Sequence, residues 1–397
     1  MSVISQAVSE YLDKSSWIRK MFETGAALKA YHGEDAVCDF SLGNPDLSPP
    51  TCVSSTLDRL AKECNRSFAF GYMPNAGYPW LREKLAHYLS NEQQVSLSAD
   101  DIVITCGAAG GLNAVMRAVF DPGDELLCPS PYFVEYGFYA ANHGGTLKSV
   151  PAVAPDFNLD VEAMAAAITP KTRIVLVNSP HNPTGAIYPT ETLEALAKAV
   201  DAKSQEYGRP IFLLADEPYR FLTYDGASTP PFLPISTNAI VVSSFSKNMS
   251  LAGERVGYIA VHPEMEDKDK LLAGVVLANR ILGFVNAPAI GQHLVADGLG
   301  TAVDTTVYAK RRAAMAKVLE DAGIEFSMPK GGFYFFPKVP ARFEGDDVAF
   351  VNRLAEELVL AVPGRGFGCP GYFRLTFCVD EDVITRSAEG FKRAVAG

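Results

Sequence analysis

Four residues at short intervals carry the chemistry of this chain. They are a carboxylate and a phenol in Ala215-Asp216-Glu217-Pro218-Tyr219, an amine in Ser244-Phe245-Ser246-Lys247, and a guanidinium at Arg255. Each lies at or just past a run of β-branched and apolar residues. A fifth polar cluster, Asn178-Ser179-Pro180-His181-Asn182-Pro183-Thr184-Gly185, follows another such run. Taken singly, each has a plain reading, since aspartate caps helices and asparagine–proline makes turns. Together they are groups that bind anions and move protons, delivered to successive strand ends. Gly107-Ala108-Ala109-Gly110-Gly111 adds a helix opening directly after a strand, where free N–H groups and the helix dipole favour an anion.

The elements that must position these groups follow from the pattern of the chain. Residues 101–105, 125–128, 173–178, 210–216, 239–243 and 258–261 read as strands, and helical stretches such as 107–120 and 190–203 lie between them. Nearly continuous apolar strands separated by helices predict a mostly parallel sheet flanked by helices, an α/β unit. In such a sheet ligands sit beyond the carboxyl ends of the strands, where the polar residues fall. After residue 300 the pattern becomes α+β, with helices over 305–322, 346–358 and 382–394 and short strands near 333–336 and 372–377. The expected division is a large domain over 46–290 and a smaller α+β domain built from both chain ends, 1–45 plus 291–397.

Composition narrows the possibilities. The 397 residues are 48% hydrophobic and 20% charged, a globular balance, and 35 basic against 46 acidic residues give a net charge of −11. Such a surface argues against nucleic acid and anionic membranes as partners. Residues 271–291 are mostly apolar over a spanning length, but Asn279 and Arg280 sit at the centre. The expectation there is a buried helix that presents Arg280 inward to an anion. The first ten residues have neither a basic start nor an apolar core. Seven cysteines contain no C-x-x-C pair, and the six histidines show no metal-ligand spacing. A cytoplasmic protein without a metal is expected.

The segments PHNPTG (180–185), ADEPY (215–219) and SFSKNMSLAGERVGY (244–258) occur in this order, and with them the chain resembles the fold-type I, pyridoxal-phosphate-dependent aminotransferases of class I/II from about Asp39 to about Val379. The resemblance implies pyridoxal 5′-phosphate as cofactor and Lys247 as the lysine that forms the Schiff base and then shuttles the proton. Asp216 matches the aspartate that pairs with the pyridine nitrogen and keeps it protonated. Tyr219 and Asn182 match the donors to the phenolic oxygen, and Tyr132, in PSPYFVEY, the aromatic that stacks on the ring. Ala108, Ala109, Ser244, Ser246 and Arg255 sit at the phosphate positions. Tyr72, in GYMPNAG, resembles a tyrosine that reaches the phosphate from the partner subunit, which implies a homodimer with shared active sites.

On the substrate side, Arg374, in GYFRLTF, matches the arginine that holds the α-carboxylate, and Gly43, in SLGNPD, the loop glycine that lets the N-terminal segment close over the site. Arg280 lies in the region where aspartate-specific members place a second arginine for the side-chain carboxylate; a structural ion pair is the competing reading. The implied activity is exchange of an amino group between an L-amino acid, aspartate or glutamate among the candidates, and a 2-oxo acid. A carbon–sulfur β-lyase shares the same lysine–aspartate pair and remains the alternative, while KGGFYFFPK (330–338) resembles the aminotransferase version of the small domain.

Overall fold

The structure, a computed structural model, describes residues 3–14 and 16–396, without the side chains of residues 7, 13, 14 and 16–22. After β1 (Cys38–Asp39) come β2 (Ile102–Thr105), β3 (Glu125–Ser130), β4 (Thr146–Pro151), β5 (Thr172–Asn178), β6 (Phe212–Asp216), β7 (Ala239–Ser244) and β8 (Gly257–Val261). These last seven form one sheet in the order β2-β8-β7-β6-β5-β3-β4. Only β8 runs antiparallel to its neighbours β7 and β2; the other pairs are parallel, as the apolar runs predict.

Alternation along the strands sorts side chains to two cores. Val175, Val177, Leu213 and Ala215 face one layer, filled by Leu81, Leu85 and Leu89 of helix Pro79–Gln93 and by Leu193, Leu196 and Val200 of helix Thr190–Tyr207. Ile174, Leu176, Phe212 and Leu214 face the other, where Leu112, Val115 and Met116 of helix Gly107–Val119 meet Leu272 and Val275 of helix Lys268–Ile281. A sheet buried on both faces this way has strands with no polar side, hence their continuous apolar reading.

The remainder carries β9 (Tyr334–Phe335), β10 (Val359–Leu360), β11 (Val362–Pro363) and β12 (Phe373–Thr376). β12 pairs antiparallel with β11 and β9, and β1 runs parallel to β10, tying the start of the chain to its end. Phe40, Tyr308, Leu319, Phe335, Phe350, Phe377 and Phe391 fill a separate core here, joined by Tyr219, Leu222 and Tyr224 from the segment after β6. Helix Ala289–Gly298, mostly beyond the expected boundary near residue 290, packs Leu294, Val295 and Ala296 into the first core of the large sheet. No described helix is long and apolar enough to cross a membrane. The apolar stretch 271–291 is instead two helices joined by a turn, and Arg280 does not point inward: it is exposed, while its neighbour Asn279 is the buried polar residue.

Candidate active site

Register brings the strand ends together. Asn178 on β5 stands opposite Asp216 on β6. The Asn178 amide donates to the Asp216 carbonyl at 2.7 Å, and its oxygen accepts from the Asn182 N–H at 2.7 Å, which anchors the turn after β5. The Asp216 carboxylate is buried. Its Oδ2 accepts a 2.6 Å hydrogen bond from the Tyr136 phenol of helix Glu135–Asn142. Its Oδ1 is buried with no partner among the described residues. Burial pushes the Asp216 pKa up to about 6, with the Tyr136 hydrogen bond acting against it. A buried carboxylate oxygen left without a partner beside a cavity is placed to accept from a donor.

Lys247 follows β7 and donates to the Gly43 carbonyl at 3.0 Å, with its nitrogen 5.5 Å from the centre of the Phe333 ring. Burial brings its pKa down to about 8, helped by the charges of Arg374 and Arg255. Cys378 would oppose this as a thiolate. Its own pKa is pushed up to about 12 by burial, so at neutral pH it is an uncharged thiol. The result is an amine that reaches its neutral, nucleophilic form near physiological pH.

Arg255 sits in the left-handed region, with φ 52°, and donates to the Ala252 carbonyl at 2.9 Å. It has no ion pair among the described residues. Gly107 faces it across the start of its helix: φ is +71° there, and a Cβ would stand 2.7 Å from Arg255 Nη2. Only glycine fits both the backbone and the guanidinium. Ala108, Ala109, Ser244, Ser246 and Arg255 share one cavity wall, an anion cradle of helix N-terminus, hydroxyls and guanidinium.

Arg374, on β12, is buried. Nη1 donates to Asn182 Oδ1 at 3.2 Å and Nη2 to the Ser41 carbonyl at 2.7 Å, while Nε has no partner among the described residues. The guanidinium lies 4.7 Å from the centre of Tyr334 and 4.8 Å from that of Phe367. Neutral acceptors and aromatic faces leave this buried cation uncompensated, so it is set to receive an anion. The phenols of Tyr219 and Tyr334 are 3.2 Å apart, and both are held neutral by burial.

The structure gathers Gly43, Ala108, Ala109, Asn182, Asp216, Tyr219, Ser244, Ser246, Lys247, Arg255 and Arg374 around one cavity of about 410 Å³. Gly43 is a close approach, since a Cβ there would come within 2.1 Å of the Tyr334 hydroxyl. Tyr132 does not line it, and Tyr72 and Arg280, expected to act across a subunit boundary, do not line it within one chain. Tyr132 turns the other way: its N–H donates to the Phe367 carbonyl at 2.9 Å and its ring covers Gly368. Its neighbour Phe133 lines the cavity in its place. Tyr72 is 97% exposed, and Arg280 is exposed at the end of its helix. Sequence reasoning passed over Tyr136, Tyr334 and Phe367. The signal for Tyr136 was present in PSPYFVEY, but which of its aromatic residues turns inward depends on the helix that starts at Glu135.

The family model for aminotransferase class I and II matches residues 35–391. A probable aspartate/prephenate aminotransferase of Aquifex aeolicus is 31% identical over 375 residues, covering 90% of this chain and 91% of the relative. An aminotransferase structure from Eubacterium rectale superposes with a TM-score of 0.93 at 37% identity, covering 99% of this chain and 98% of the other. The aspartate aminotransferase of Thermus thermophilus with maleate gives 0.86 at 28% identity, covering 99% and 100%. With a match that spans most of its length and the same fold throughout, the chain belongs to the aminotransferase class I and II family and is an aminotransferase.

Proposed function

We propose that this aminotransferase uses pyridoxal 5′-phosphate, exchanges the amino group of an L-amino acid with a 2-oxo acid, and works as a homodimer. The observation that carries the cofactor is the orphaned Oδ1 of Asp216: a buried carboxylate oxygen lacking a donor, in the same cavity as a buried amine and an anion cradle. The residues fit the group. The cradle of Arg255, Ser244, Ser246 and the helix start at Gly107 would hold its phosphate, and Asp216 its protonated ring nitrogen. Asn182 and Tyr219 would donate to its phenolic oxygen, and Phe133 offers an aromatic face. Bound there, the cofactor supplies an aldehyde for covalent attachment and a ring that spreads negative charge from the substrate Cα.

The chain's own groups do the rest. Arg374 holds the α-carboxylate through its fork of N–H groups, fixing the substrate relative to Lys247. The neutral Lys247 amine removes the Cα proton and holds it on Nζ for return. Asp216, anionic once a cation lies beside it, keeps the ring nitrogen charged. Tyr334, Phe333 and Phe367 exclude water from the amine and the guanidinium.

The names of the relatives support a dicarboxylic acid among the substrates. Arg280, being exposed, would hold the distal carboxylate from a partner subunit. Exposed apolar residues at Phe68 (92%), Phe70, Tyr72 and Leu57 support a partner as well, since patches of this kind are rarely left to water. Seven unpaired cysteines are in keeping with a cytoplasmic setting.

The test is a half-reaction on holoenzyme with single amino acids and no oxo acid. The expected result is a shift in the cofactor's visible absorption with one equivalent of 2-oxo acid and no ammonia. Lys247→Ala should slow it by about 10³-fold or more. Retained activity in that variant would sink the assignment, and pyruvate with ammonia from cysteine-like substrates would mean a β-lyase.

A further inference from the structure

Tyr334 lines the cavity and, in the reading proposed above, only keeps water out, yet it touches more of the site than that role needs. It lies on β9, opposite Thr376 of β12. Its hydroxyl is 3.2 Å from the Tyr219 hydroxyl, its one hydrogen-bond partner among the described residues. Its ring centre is 4.7 Å from the Arg374 guanidinium. Gly43 packs against the hydroxyl so closely that a Cβ there would stand 2.1 Å away. Tyr219 is in turn fixed edge-on between two rings, Phe333 at 5.1 Å and 84° and Tyr334 at 5.8 Å and 85°. Tyr219 and Tyr334 are both buried, and all these contacts are made within one chain.

Proton counting gives the pair a direction. A neutral phenol has one O–H to donate and lone pairs with which to accept. Burial keeps both phenols neutral. If Tyr219 donates to Tyr334, its single proton is committed and nothing is left for another acceptor. If Tyr334 donates, Tyr219 accepts on its lone pair and its own O–H is free to point into the cavity. Burial raises the Tyr334 phenol, but the Arg374 charge over its ring acts the other way, which strengthens its O–H as a donor.

We infer that Tyr334 is a positioning residue: its hydroxyl donates to Tyr219 and so directs the single Tyr219 proton to the phenolic oxygen of the cofactor. This rests on the pyridoxal 5′-phosphate reading of the same cavity. Two hydroxyls in series polarise each other, so the last bond of the chain is stronger than Tyr219 would make alone. A stronger donor favours negative charge on the phenolic oxygen, and the nitrogen that Lys247 contributes to its bond with the cofactor then loses its proton at lower pH. Tyr334 acts through Tyr219 and takes no part in moving the substrate proton.

The experiment titrates the visible absorption of holoenzyme against pH, without substrate, in the native protein, Tyr334→Phe, Tyr219→Phe and the double variant. Phenylalanine at 334 keeps a ring under Arg374 and removes only the hydroxyl. The midpoint should rise by about 0.5 pH unit or more in Tyr334→Phe and further in Tyr219→Phe. In the double variant it should rise no further than in Tyr219→Phe, because the hydroxyl at 334 then has nothing to act through. An unmoved midpoint in Tyr334→Phe beside a raised one in Tyr219→Phe overturns the proposal alone. So does an equal effect of Tyr334→Phe with and without the Tyr219 hydroxyl. A native holoenzyme with no pH-dependent cofactor band, or an unmoved midpoint in Tyr219→Phe, overturns the parent reading of Tyr219 with it.

Discussion

At the residue scale, Asp216 carries a burial cost that the proposed cofactor would relieve. Its carboxyl ionises near 6 in the folded chain against 3.8 in a free side chain, because burial disfavours the anion. Between those two values the folded state holds a proton that the unfolded state has released, so cofactor-free protein loses stability as pH rises from 3.8 to 6. The loss is on the order of 3 kcal/mol when complete. Asp216→Asn should therefore make the cofactor-free protein more stable than the native one at pH 7.5, with the gain vanishing below pH 4. Denaturation at the two pH values checks this. Adding pyridoxal 5′-phosphate should invert the order at pH 7.5, because only the aspartate can pair with a ring cation. Asp216 and Lys247 were legible in the sequence because their neighbours form long, ordered motifs. Tyr136 was not, since its bond to Asp216 spans 80 residues and no local spacing announces it. Tyr132 was chosen over Phe133 because adjacent aromatics look alike until the helix fixes which one turns inward.

At the element scale, the site depends on where backbones can approach. Gly107 lets the helix start meet Arg255, and a methyl group there would press on the guanidinium at 2.7 Å. Gly107→Ala should weaken cofactor binding by about tenfold or more through that displacement and the strain at positive φ, while leaving the sheet intact. Equilibrium titration of the cofactor checks it; unchanged affinity would mean that Arg255 does not hold the phosphate. The central strands were readable because both faces are buried, so every residue is apolar. Strand β4 was missed for the opposite reason: it is an edge strand, largely exposed, and Thr146 to Pro151 has no apolar run to betray it. The C-terminal helix expected over 382–394 is two helices, Glu381–Arg386 and Ala388–Ala396, with Ser387 buried at the break between them. Arg280 was expected to turn inward because its neighbours are apolar, but period 3.6 places Asn279 on the buried side and Arg280 off it.

At the scale of the whole molecule, the carboxyl-end motifs after β5, β6 and β7 meet Ser41–Gly43, Tyr334, Phe367 and Arg374 across one cavity. The separate core filled by Tyr308, Phe335, Phe350 and Phe391 was legible from the change in pattern after residue 300. The surface at Phe68, Phe70 and Tyr72 was not, since exposure is a property of the folded chain. Phe68→Asp should convert a dimer of twice 42.8 kDa to monomers and loosen the cofactor, as Tyr72 would no longer reach a neighbouring site. Light scattering with and without cofactor checks both; a native protein that scatters as a monomer would remove Tyr72 and Arg280 from the site.

The segment Ser41–Gly43 is held by two donors: Arg374 grips the Ser41 carbonyl and Lys247 the Gly43 carbonyl. In the proposed reaction both donors would be drawn elsewhere, Arg374 by a substrate carboxylate and Lys247 by its covalent bond. The short strap is thus wired to two inputs. With one engaged, the other still holds it; with both engaged, it is released from each and must find new anchors. Under that reading its position would depend on two occupancies together rather than on either alone.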